Sequence, residues 1–228
     1  MALLLFDLDG TLLLTGGAGM RAMNRAGKVL FGDRFSFDGV EVSGGLDPQL
    51  FTEAAFRFGV RNPSAHHDSF RRLYLEMLRE ELAVAPERVA PLPGVLRLLD
   101  TLRSNANLTV GLLTGNYRDA APHKLNAAGI DPLFFRIAVF GDDAVDRRAM
   151  VALAIARHEA AIAASIDRRQ VIIIGDTPRD IDCAHANGAL CLAVATGRYT
   201  VQELIDAGAD ATAEDLTDST PLFSLLNY

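Results

Sequence analysis

The sequence predicts an α/β fold, with a parallel sheet covered by helices on both faces and a helical segment inserted after the first strand. Three observations carry this. Five short apolar runs lack the polar alternation of a half-exposed strand, amphipathic stretches separate the last four, and each run stops on a small or polar residue. Unalternated runs suit strands buried on both faces, as in parallel sheets. Strands alternating with helices imply helical layers on either side.

The first run is ALLLF (2–6). Between Asp9 and the Pro91–Leu92–Pro93–Gly94 punctuation no strong strand signal follows, but Met20–Phe31, Pro48–Phe58 and Ser64–Ala83 carry helical spacing. Residues 17–87 are therefore expected to form a small helical domain, with 1–16 and 88–228 as the core. Entry is through Gly16–Gly17–Ala18–Gly19, read as a hinge because no Gly-Lys-Ser/Thr follows to make a phosphate loop. Helix Gly94–Arg103 then precedes LTVGLL (108–113), and Arg118–Ala128 precedes RIAVF (136–140). Arg147–Ala164 precedes VIII (171–174), and Pro178–Asn187 precedes LCLAVA (190–195). The runs end at Asp7, Thr114, Gly141–Asp142, Gly175–Asp176 and Thr196–Gly197. In a parallel sheet these ends share one edge, where open α/β folds bind ligands.

Composition narrows the partners. The 228 residues are half hydrophobic, enough for one large domain or a core with a smaller insert. The net charge is −7 with no basic stripe, which argues against a nucleic-acid backbone as the main partner. Cys183 and Cys191 lack metal-ligand spacing and read as buried small hydrophobes in a reducing cytosol. The apolar start ends at Asp7 and Asp9, too short for a signal peptide and without a basic leader. No stretch reaches the ~18 apolar residues of a membrane span. A soluble cytoplasmic protein is expected, and nothing in the sequence sets its oligomeric state.

Chemistry concentrates at the strand ends. In FDLDGTL (6–12), Asp7 and Asp9 leave the strand as an i, i+2 pair on one side, and Gly10 permits a sharp departure. Such a pair can divide the work, one carboxylate as nucleophile or metal ligand and the other as acid and base. In GLLTGN (111–116), Thr114 offers a hydroxyl, while the Gly115 and Asn116 amides can face an anion near the next helix start. In IIIGDTPRDI (172–181), Asp176 and Asp180 flank a turn with Pro178 early in a helix. Four carboxylates on one sheet edge repel one another unless a cation sits among them. Oxygen ligands without a His or Cys cluster favour magnesium over zinc. His66 and His67 are adjacent and diverge on a helix, His123 reads as a solvated helix residue, and Phe35 and Phe37 read as packing.

FDLDGTL, LTGN and GDTPRDI, in this order, resemble the signature motifs of the haloacid dehalogenase superfamily. The helical insert resembles its first type of mobile cap, and VATGRYTVQEL (194–204) resembles a segment of the phosphoglycolate-phosphatase-like branch. The resemblance implies a Rossmann-like three-layer core and a magnesium-dependent phosphatase acting on a small phosphorylated metabolite. It implies that Asp7 attacks phosphorus, and that Asp9 protonates the leaving oxygen and then activates water. It also implies magnesium on Asp7, the Asp9 carbonyl and Asp176, with Asp180 close by, and phosphate oxygens on Thr114 and the Gly10 and Gly115 amides. Relatives add a lysine or arginine, often in a Lys-Pro pair that this chain lacks. Lys124 and Arg147 stand as equal candidates, with Arg148 behind them.

A dehalogenase has no need of Asp9 or of a metal cluster, so the sequence speaks against one. A phosphomutase or other phosphotransferase shares the chemistry and differs only in keeping water out. A receiver-type signalling module would carry its acceptor after a later strand. The loop Ser43–Gly44–Gly45–Leu46–Asp47–Pro48 resembles one that relatives place over the site. Many of them carry a basic residue where Gly45 or Leu46 stands here, so no cap charge favours a doubly anionic substrate. Arg21 is the alternative cation, though it reads better as a surface residue.

Overall fold

The computed structural model describes residues 1–226. Strand β1 (Ala2–Phe6) leads through the two-residue strand β2 (Leu13–Leu14) into three helices, α1 (Ala18–Phe31), α2 (Asp47–Phe58) and α3 (His67–Val84). Strand β3 (Ala90–Pro91) pairs antiparallel with β2 and closes the inserted segment, with Leu13 opposite Pro91. The chain then alternates through α4 (Val95–Arg103), β4 (Leu108–Thr114), α5 (Ala121–Ala127), β5 (Ile137–Phe140), α6 (Arg147–Ile162) and β6 (Val171–Gly175). It finishes with α7 (Pro178–His185), β7 (Leu190–Val194), α8 (Val201–Asp206), β8 (Ala211–Ala213) and α9 (Thr220–Leu226).

Six strands form one sheet in the order β5-β4-β1-β6-β7-β8, and every neighbouring pair is parallel. β1 is central, so Leu4 lies between Val110 of β4 and Ile172 of β6. Alternate side chains serve opposite faces, as the pleat requires. Leu4, Phe6, Ile172 and Ile174 join one apolar cluster with α4 and α5, while Leu3, Leu5, Val171 and Ile173 join another with α6 and α7. Because both faces are covered, β1 and β6 are buried throughout. That is the physical reason their sequences show no polar alternation.

The inserted helices have an aromatic centre of their own. Phe31 packs on Phe35 with ring centroids 5.2 Å apart, and Phe51 stacks on Phe70 at 4.1 Å. Phe35 and Phe37 thus pack within the insert, edge to face at 5.6 Å.

The expected elements are present, with shifts at their ends. The helix expected from Arg118 starts at Ala121, because the Arg118 amide donates to Asp142 Oδ1 and its guanidinium pairs with Asp143. Edge strand β8 and helices α8 and α9 had no expectation. They are six to seven residues or shorter, too brief to set up a period. Among the described residues no helix is long and apolar enough to cross a membrane.

Candidate active site

The carboxyl ends of β1, β4 and β6 bring the three motifs together. Asp7 follows β1, Thr114 ends β4 and Asp176 follows β6, so pairing β1 with both neighbours makes one site of distant residues. One carboxylate oxygen from each of Asp7, Asp176 and Asp180 lies within 4.8 Å of the others, and all three residues are buried. Burial raises the carboxyls of Asp7 and Asp176, and the neighbouring carboxylates raise them further.

Two of the three candidate cations reach this site by different routes. Arg147, at the start of α6, places Nη2 3.2 Å from Asp7 Oδ1 and also pairs with Asp180. Its side chain is 6% exposed. Burial alone would make it easier to deprotonate, but Asp180 and Asp7 hold the proton more tightly than usual. Lys124, on α5, places Nζ 2.6 Å from Asp9 Oδ2 and is itself buried. Arg148 pairs instead with Asp182 on the exposed side of the helix.

Asp9 is held from two sides, since Asn116 Nδ2 also donates to its Oδ2 at 2.8 Å. Asn116 further donates from Nδ2 to Thr114 Oγ1 at 3.1 Å, and its amide donates there at 3.3 Å. Thr114 Oγ1 therefore accepts twice, which leaves its own proton for a further acceptor. Asn116, expected to offer only its amide to an anion, also works through its side chain on Asp9 and Thr114.

Asp180 is less available than its position suggests. Its Oδ1 takes Arg147 Nε at 3.1 Å, and its Oδ2 accepts from Thr177 N at 3.1 Å and Thr177 Oγ1 at 2.8 Å. Asp176 differs, accepting from Thr11 Oγ1 at 3.3 Å. Gly10, at φ 84°, lies against it, and a Cβ there would come within 2.6 Å of Asp176 Oδ2. Among the described residues, three buried carboxylates with a single arginine between them, and Asp176 bonded only through one long hydroxyl contact, make a donor set that fits a hard divalent cation.

The insert reaches down to this edge. The Asp47 amide donates to Gly115 O at 2.7 Å, and Asp47 Oδ2 accepts from Tyr117 N at 2.9 Å. A side chain at Gly115 would collide with the Gly45 carbonyl, so the loop 43–48 lies over the site. Sequence reasoning missed Asp47, which looks there like an ordinary acid at a helix start before Pro48. It also missed Thr11, whose hydroxyl is recognisable only once Asp176 is folded beside it. Arg21 is engaged elsewhere than with the carboxylates, with Nε 2.7 Å from Glu81 and Nη1 donating to Gly16 O at 2.6 Å. His123 accepts from Arg79 Nε at 3.0 Å, and His67 Nε2 lies 3.1 Å from the Tyr117 hydroxyl.

Comparison with known proteins bears on the family and the fold. A family profile described as haloacid dehalogenase-like hydrolase matches residues 4–194. The fold is similar to that of a hydrolase from Pseudomonas syringae (21% identity, TM-score 0.72, 98% of each chain covered). It is also similar to CbbY from Rhodobacter sphaeroides in complex with phosphate (18%, TM-score 0.75, 100% of each chain). A predicted phosphoglycolate phosphatase from Haemophilus somnus shares it too (18%, TM-score 0.70, 98% of each chain). No match was found among curated proteins.

Proposed function

The chain belongs to the haloacid dehalogenase-like hydrolase family, and on that premise we propose that it is a magnesium-dependent phosphatase of small phosphorylated metabolites, with Asp7 as the nucleophile. The observation that carries this is the meeting of Asp7, Asp9, Thr114, Arg147 and Asp176 at one sheet edge. The family typically uses a divalent metal, and the buried aspartate cluster suits one. Asp7, Asp176 and the Asp9 carbonyl would hold magnesium, which when bound offsets charge on the nucleophile and the phosphoryl oxygens. Asp180, with both oxygens already engaged, orients Arg147 and caps α7.

In this reading Asp7 attacks phosphorus and forms an aspartyl phosphate as the ester oxygen leaves. Arg147 offsets the charge beside Asp7. Asp9, fixed through Oδ2 by Lys124 and Asn116, gives a proton to the leaving oxygen and later takes one from water. Thr114 and the Gly115 amide hold phosphoryl oxygens; the Gly10 amide, expected in the same role, instead donates to Leu13 O at 3.0 Å within the turn after β1. Phosphoryl transfer depends chiefly on positioning and charge stabilisation, which such fixed groups supply. Residues 17–87 act as a cap hinged at Gly16 and Gly17, over a core of 1–16 and 88–228. The free, buried thiols of Cys183 and Cys191 suit a reducing cytoplasm.

The test is phosphate release from an aryl phosphate, with and without magnesium, by wild type and Asp7→Asn. Magnesium-dependent release that is lost in Asp7→Asn is expected. Equal release by the variant would remove Asp7 from its role. A wild type that becomes phosphorylated on Asp7 without releasing phosphate would be a phosphomutase instead.

A further inference from the structure

A cavity of about 360 Å³ opens from the carboxylate edge toward the insert. Its lining includes the polar residues Asp9, Gly10, Asp176 and Thr177 of the carboxylate edge. The rest of the lining includes an apolar group, Leu14, Met20, Met23, Val42 and Leu50, contributed by β2 and the insert. The size is at the small end for ligand sites. A phosphoryl group on the carboxylate end would leave its organic part against the methionines and aliphatic side chains.

The basic residues lining this cavity, among the described residues, are Lys124 and Arg198, and both are already paired. Lys124 holds Asp9. Arg198 Nη1 lies 2.8 Å from Glu41 Oε1 and 3.3 Å from Ser43 Oγ. Glu41 is in turn fixed by the Ser43 amide, which donates to the same Oε1 at 3.1 Å. That backbone bond first, and Arg198 second, hold its carboxyl below the usual range, so it stays charged at neutral pH. An anionic substrate tail reaching Arg198 would meet the Glu41 carboxylate at the same guanidinium. The pair is exposed and contributes little to stability. Its effect on a second anion is repulsion, which is a common way to gain specificity.

We propose that the cavity takes phosphomonoesters whose organic part is uncharged and largely apolar, and that Glu41 is a specificity residue that turns away a second anionic group by occupying Arg198. The proposal rests on the phosphatase reading for its placement of the phosphoryl group. Its test needs no turnover, so the two fail separately.

Calorimetry on the full chain with magnesium would compare methylphosphonate, butylphosphonate and 3-phosphonopropionate. The expected result is that butylphosphonate binds about tenfold tighter than methylphosphonate, from burial of its added methylene groups. The carboxylated probe should bind no better than methylphosphonate. Glu41→Gln frees Arg198 without touching the core, and should tighten 3-phosphonopropionate several-fold while leaving butylphosphonate unchanged. Equal binding of the butyl and carboxylated probes by wild type would overturn the proposal. So would a Glu41→Gln variant that gains nothing for the carboxylated one.

Discussion

Lys124 Nζ lies 2.6 Å from Asp9 Oδ2, joining the middle of α5 to the loop after β1. The lysine side chain is 5% exposed and the aspartate side chain 41%, so a buried ammonium reaches out to a carboxylate that still meets solvent. Lysine supplies a long stem and a point charge, which suits this reach. The bond engages Oδ2, the same carboxylate oxygen that Asn116 Nδ2 reaches at 2.8 Å.

Lys124→Met should therefore act on positioning. We expect kcat for an aryl phosphate to fall by about 10- to 100-fold, the usual cost of a misplaced reacting group, with KM nearly unchanged. The melting temperature should change little, since Asp9 remains solvated. A rise in KM at constant kcat would show that Lys124 binds phosphate instead.

Arg147 is a different case, because both of its partners are buried: the side chains of Asp7 and Asp180 are 8% and 0% exposed. Removing it strands two carboxylates away from water. Arg147→Met should destabilise the fold by about 3–5 kcal/mol in urea unfolding without metal. Arg147→Lys should recover part of that, since an ammonium cannot serve two carboxylates in the fork geometry of a guanidinium.

Asp176 gives a prediction that is independent of turnover. Magnesium should raise the melting temperature of wild type, by mass action on the folded state. Asp176→Asn should abolish that rise. It should also melt higher than wild type when metal is removed with a chelator, because one of three mutually repelling carboxylates has gone.

Asp47 ties stability to pH. Burial pushes its carboxyl up to about 7, against the opposing pull of Lys124 and the Tyr117 amide. The folded value lies above the unfolded one near ~3.9, so this group's contribution is complete at acid pH and is lost as pH rises through about 7. Asp47→Asn removes the titration. Thermal melts at intervals between about pH 5 and pH 8 should show the variant gaining on wild type as pH rises.

The strands and the acids that follow them were determined by local sequence. ALLLF and VIII are apolar without alternation, and Asp7 and Asp176 stand directly where such runs must stop or turn. Unbroken burial and a shared sheet edge follow from strand chemistry alone, so the α/β layering and the gathering of Asp7, Thr114 and Asp176 were legible from residues 2–7, 108–114 and 171–176. The two basic residues were legible as candidates, but their duties were not. Lys124 and Arg147 lie on separate helices, and sequence spacing cannot say which carboxylate each meets. That depends on how α5 and α6 pack on opposite faces of the sheet, which gives Arg147 to Asp7 and Lys124 to Asp9. Glu41 was hidden because a charged residue in a loop reads as solvated until the loop is docked, and Asp47, though part of the segment 43–48 expected over the site, because an acid opening a helix reads as an ordinary helix start. Only the tertiary structure, by pressing Gly45 onto Gly115 and Glu41 onto Arg198, decides which charges are buried, paired or left to meet a ligand.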